Sequence, residues 1–110
     1  VLSLSLFSPQ DQQQPESNMQ EPQLYMVIER YRNGDSAPVY RRFREQGRLA
    51  SEGLEYVNSW VSTDLGTCYQ VMRTADRALL DAWIAKWEDL VEFEVIPVVT
   101  SAEAAARVEQ

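Results

Sequence analysis

The sequence contains no histidine. Ser-His-Asp and Cys-His catalysis are therefore excluded within the chain, as are zinc sites built on imidazole and haem held by a proximal histidine. Cys68 is the only cysteine among 110 residues, so no intrachain disulfide can form, which fits a reducing, cytoplasmic setting. No apolar run approaches the roughly 20 residues that cross a bilayer as a helix. Basic charge is in deficit: 10 Lys and Arg stand against 17 Asp and Glu, for a net charge of −7 and a pI near 4.5. Such a chain suits neither nucleic acid nor anionic lipid, and neither is expected as a partner. Repeats at solenoid periods are also missing.

What remains suits one domain, with 45% hydrophobic residues and a single-domain length. Residues Val1–Gln23 turn to Gln, Pro, Ser and Glu after a brief Leu/Ser alternation. That composition cannot bury a core and predicts a flexible leader. Because the chain opens on Val, Met19 is a candidate true start.

From Leu24 onward the pattern sharpens. Leu24–Tyr31 is rich in aromatic and β-branched residues and predicts a first strand. Asn33-Gly34-Asp35 reads as a turn, with Asp35 capping a helix that runs to about Gln46 and carries Val39, Tyr40 and Phe43 inward. Leu54–Ser62 and Thr67–Arg73 predict a hairpin around Asp64-Leu65-Gly66, with Gly66 as a left-handed residue closing a three-residue loop. An odd loop puts Tyr56, Asn58 and Trp60 on one face with Cys68, Gln70 and Met72, and an even loop would swap the third strand's faces. The valine-rich face, Val57, Ser59, Val61, Tyr69 and Val71, is then expected against the helices.

Asp76–Leu90 predicts the principal helix, with Leu79, Leu80, Trp83, Ile84 and Trp87 recurring at steps of three and four. Val91–Thr100 predicts a fourth strand, placed at a sheet edge by Pro97. Ser101 is expected to cap a short tail helix. The order β-α-β, β-α-β implies a ferredoxin-like α+β domain over residues 24–110: a four-stranded antiparallel sheet with its helices on one face. The other face, expected to carry Tyr25, Val27, Tyr31, Tyr56, Trp60 and Met72, is too apolar to stay wet on a monomer. A homodimer packing sheet against sheet is the expected partner arrangement.

The stretches Leu24-Tyr-Met-Val-Ile-Glu29, Trp60…Cys68-Tyr-Gln-Val-Met72, Trp83…Trp87 and Phe93-Glu-Val-Ile-Pro-Val98 resemble the DUF3303 proteins, a small bacterial family of unknown function. The resemblance covers about Leu24–Ala106 and implies membership of the dimeric α/β-barrel superfamily. It transfers no catalytic residues and implies no cofactor.

On that reading the uncovered face becomes a cavity wall, a setting for a small-molecule ligand held by Glu29, Tyr31, Asn58, Trp60 and Gln70. A desolvated Glu29 could act as a general base; a salt bridge is the plainer alternative. Asn58 and Gln70 could equally hydrogen-bond within the sheet, Tyr31 and Trp60 could be interface or core, and Cys68 reads as a small buried hydrophobe. Glu88-Asp89 and Glu92/Glu94 make poor metal pairs, since no His is present to join them and the consecutive acids Glu88 and Asp89 point apart. The arginines from Arg30 to Arg48 read as a solvated helix face, or else as an anion site or a subunit contact. Two classes stay open: a small-molecule enzyme or binder, and a non-catalytic accessory or regulatory module that engages a protein partner.

Overall fold

The computed structural model describes residues 21–109. The expected leader lies outside them as far as residue 20. Among them the elements are β1 (Gln23–Tyr31), α1 (Ala37–Gln46), β2 (Leu54–Val61), β3 (Thr67–Thr74), α2 (Arg77–Ala85), β4 (Val91–Val98) and α3 (Ser101–Val108), with a 3-10 turn at Arg32–Gly34. The strands form one antiparallel sheet in the order β2-β3-β1-β4, the ferredoxin-like order. Pro97 lies in the edge strand β4, where a missing donor leaves the ladder to β1 intact.

Local signals account for most boundaries. Asp76 caps α2, its Oδ1 accepting from Ala78 N at 3.0 Å. Gly47, at φ 74°, ends α1 while its N–H donates to the Phe43 carbonyl at 2.8 Å. Three caps and ends differ from expectation. Ser36 rather than Asp35 is the α1 cap residue, although Asp35 Oδ1 still accepts from Ala37 N. Thr100, one residue before Ser101, caps α3 through its hydroxyl. Finally, α2 stops at Ala85, and Trp87 lies in the turn that follows.

The faces of the sheet are the main correction. Tyr25, Val27, Glu29 and Tyr31 alternate as the buried row of β1, and Cys68, Gln70, Met72 and Thr74 as that of β3. Together with Val39, Leu54, Leu80, Trp83, Trp87 and Val91 they form the core beneath the helices. The expected open-face residues Tyr25, Val27, Tyr31 and Met72 are thus covered, while Tyr69 and Val71 lie on the open side. Both rows of β1 are apolar enough to be buried. Taking the Glu29 row as the wall of a barrel cavity puts it on the uncovered side, whereas the helices cover it.

A second cause lies in the hairpin. Ser62 N donates to Thr67 O at 2.8 Å, closing a loop of even length. Leu65 rather than Gly66 takes the left-handed conformation, at φ 64°. Asp64 holds the loop by accepting from Gly66 N and Ser62 Oγ. Farther along, the β2–β3 register shifts between Tyr56 and Asn58, a β-bulge at Val57. Tyr56 therefore pairs with Met72 on the covered face, Ser59 and Val61 join Gln70 and Cys68 there, and Asn58 and Trp60 turn to the open face opposite Val71 and Tyr69.

Candidate functional site

Beneath the sheet the helices do not fill all the space. A cavity of about 110 Å³ remains between β1, β2, β3, α1 and the loop after α1. Its apolar and aromatic wall includes Val39, Tyr40, Phe43, Val61, Trp83 and Trp87, and its polar wall Glu29, Tyr31, Arg48, Ser59 and Gln70. Tyr40 and Phe43 stand over the cavity mouth, which leaves each of them 42% exposed.

Glu29 is 8% exposed and Gln70 4%. The two are joined in one directed chain: Arg48 Nε donates to Gln70 Oε1 at 2.9 Å, and Gln70 Nε2 donates to Glu29 Oε2. The orientation of the amide follows from chemistry. Arg48 can only donate, so the carbonyl of Gln70 must face it and the amide nitrogen must face Glu29. Burial pushes the Glu29 carboxyl from 4.5 up to about 7, although the Gln70 hydrogen bond and the Arg48 charge pull it down. Burial also pushes the Cys68 thiol up to about 11, with the nearby Glu29 charge adding to the rise. Tyr31 is likewise raised by burial, with Cys68, Tyr40 and Glu29 reinforcing it. The ring of Tyr31 meets that of Tyr40 edge to face at 6.4 Å.

Arg48 is held from three sides. Its guanidinium carbon lies 3.7 Å from the Tyr56 ring centroid and 5.2 Å from that of Phe43. Its backbone carbonyl accepts two indole N–H groups, from Trp83 at 2.9 Å and Trp87 at 3.0 Å. The next residue, Leu49, takes a left-handed φ of 67°. The two tryptophans are therefore core residues that also fix the one cation of the cavity. Their spacing predicts the burial, whereas the shared carbonyl depends on where the loop after α1 lies.

Of the residues expected to form a site, the fold brings Glu29, Tyr31 and Gln70 together at this cavity. It places Asn58 and Trp60 on the opposite face of the sheet, where Asn58 Oδ1 accepts from Ser59 N and Trp60 is 56% exposed. The even-length hairpin loop is the reason, since it pairs Ser59 with Gln70 and Trp60 with Tyr69. Arg48, Tyr40, Phe43 and Ser59 join the site without having been singled out for it. The sequence did carry one signal for Arg48: it follows Gly47, so it lies past the end of α1 and off the basic helix face. The rest of that cluster is mostly structural. Arg42 grips Asp89 through two bonds, at 2.6 and 2.9 Å, and holds its carboxyl below the usual range; Arg32 bonds the Glu88 carbonyl and Glu92. Among the described residues no three Cys, Asp or Glu side chains gather into a metal-holding group, and no helix is long and apolar enough to cross a membrane.

Fold and cavity together define an α+β domain of ferredoxin-like topology with a pocket between its sheet and its helices. Residues 23–110 match the Domain of unknown function (DUF3303), and the chain belongs to that family. No curated protein and no solved structure was found to match it.

Proposed function

We propose that the protein binds a small organic molecule in the cavity between sheet and helices, and does so as a homodimer that joins the open sheet faces into a barrel. The observation that carries the binding reading is the buried chain Arg48–Gln70–Glu29. Packing alone would favour apolar residues at these positions, because burying a carboxyl and an amide costs stability even when they are hydrogen-bonded. Polar groups converging on a ring-lined hollow are what a small-molecule pocket requires. Native mass spectrometry of protein purified from its source tests this, with a co-purifying mass below that of a peptide as the expected result. Repeated preparations carrying only bare chain, with no ligand found by soaking, would count against it.

The dimer reading rests on the open face. Met26, Ile28, Trp60, Tyr69, Val71 and Ile96 supply an apolar surface on which Trp60, Tyr69 and Ile96 are exposed. Its charged residues are matched within the chain, Arg30 with Glu94 at 3.1 Å and Arg73 with Glu55 at 3.4 Å. A second copy could therefore cover it without stranding a charge. Strands of about eight residues at roughly 3.3 Å each, four abreast at about 4.8 Å, give a face of roughly 500 Å². Two such faces reach about 1,000 Å², the area at which a contact begins to count as a biological interface. This argument favours self-association over the accessory-module alternative, for which the exposed Arg41 and Arg44 are the remaining support.

A further inference from the structure

We infer that the pocket accepts a single-ring monoanion, in the simplest case an aromatic carboxylate, whose oxygens sit on Arg48 while Glu29 carries a proton. The inference rests on the small-molecule reading above and names its ligand class.

Arg48 differs from the other arginines in its partners. Six of them, Arg30, Arg32, Arg42, Arg73, Arg77 and Arg107, are in ion pairs with carboxylates. Arg41 and Arg44 lie on the exposed face of α1. Arg48 alone lines the cavity, and its only side-chain hydrogen bond among the described residues runs from Nε to a neutral amide. Its two Nη groups are left for a ligand. A planar guanidinium fixed between two rings is suited to a carboxylate, which it can hold through two parallel bonds.

The chain of hydrogen bonds sets the state of Glu29. Its Oε2 accepts from Gln70 whether or not the carboxyl is ionised. When Glu29 is neutral, its proton falls on Oε1, which has no partner among the described residues, and the cavity then holds one positive charge and a second donor. That arrangement calls for an anion. When Glu29 is ionised, its charge offsets that of Arg48 and opposes a second anion. Binding is therefore coupled to uptake of one proton from solvent by the Glu29 carboxylate.

Of the groups facing Glu29, burial moves the carboxyl itself up to about 7 and Cys68 up to about 11, so Glu29 changes state near neutrality. Tyr31 is driven further up, and Tyr40 and Arg48 complete the surround. Size sets the body of the ligand. A volume of about 110 Å³ walled by Tyr40, Phe43, Trp83 and Trp87 is close to the ~150 Å³ of an apolar cavity that takes up benzene.

Isothermal titration calorimetry of the full chain with benzoate and with its neutral isostere benzamide tests the inference. At pH 6 benzoate should bind about tenfold more tightly than benzamide, the scale of one charge-assisted contact. Between pH 6 and 8.5, where benzoate stays ionised, its affinity should fall about tenfold as Glu29 loses its proton, while that of benzamide changes little. Glu29→Gln should flatten the benzoate profile at its low-pH value, and Arg48→Met should reduce benzoate to the benzamide level. Equal affinity for the two ligands, or a pH profile that survives Glu29→Gln, would overturn the inference. Benzamide binding without benzoate would leave the pocket and remove the anion. Failure of both ligands and of phenol to bind would remove the pocket as well.

Discussion

The two faces of the sheet carry similar amounts of apolar side chain and have opposite fates. On the covered side Val27, Met72, Leu80 and Val91 are almost fully excluded from water, and the charged groups Glu29 and Arg48 are linked there through Gln70. On the open face the apolar residues lie between ion pairs that are themselves exposed. Hydrophobicity does not distinguish the faces; the treatment of charge does. Where charge is buried it is chained to a cavity, and where it is exposed it is cancelled locally.

The sharpest way to break this contrast is to remove a large side chain from the covered face. Trp83→Ala or Trp87→Ala should cost on the order of 3–5 kcal/mol in urea unfolding, the range for large-to-Ala changes in a core. Each would also free half of the bond pair on the Arg48 carbonyl. A loss below 1 kcal/mol for both would mean that the covered face is not the core.

Glu29→Gln tests the buried charge, and the sign of its effect depends on pH. The folded protein holds the Glu29 proton up to about 7, whereas the unfolded chain releases it near 4.5. Stability therefore falls as pH rises through that window, and the penalty is complete above it. A shift of that size is worth about 3 kcal/mol. The variant should be more stable than the native chain at pH 8.5 by about 2–3 kcal/mol and nearly equal to it at pH 4. Urea midpoints at the two pH values measure the difference, and a variant less stable at pH 8.5 would contradict the assignment.

Trp60→Glu probes the other face. Within one chain it should change stability by no more than about 0.5 kcal/mol, as exposed substitutions do. In light scattering it should convert a dimer into a monomer. A native chain that is already monomeric, or a variant that remains dimeric, would remove the open face from the assembly.

The element order was legible because it depends on local chemistry: the Asp76 cap, the Gly47 stop, the 3.6-residue stripe through Leu80 and Trp83, and the placement of Pro97. Which face each residue took was not legible. That depended on a loop one residue longer than the Asp64-Leu65-Gly66 reading implies and on one unpaired residue at Val57. Both are decided by how β2 and β3 pair and pack in the folded sheet, and each reverses every side chain beyond it. The site inherited that uncertainty. The chemistry of Glu29, Tyr31 and Gln70 points to the site, and Asn58 and Trp60 join them only in a register that the even-length loop undoes. Arg48 was present in the arginine count and was hidden by it.

The doubly bonded carbonyl of Arg48 has a consequence in time as well as in space. A loop tied by one hydrogen bond can lift away while its surroundings stay folded, but this one is tied to two core indoles at once. Freeing it means loosening the packing around Trp83 and Trp87 together, an event near the scale of global unfolding. The indole hydrogens of both tryptophans should then exchange with solvent deuterium slowly, and at similar rates. The wall of the cavity that holds the cation would be among the last parts of the molecule to open, leaving traffic in and out to the half-exposed rings of Tyr40 and Phe43 on the other side.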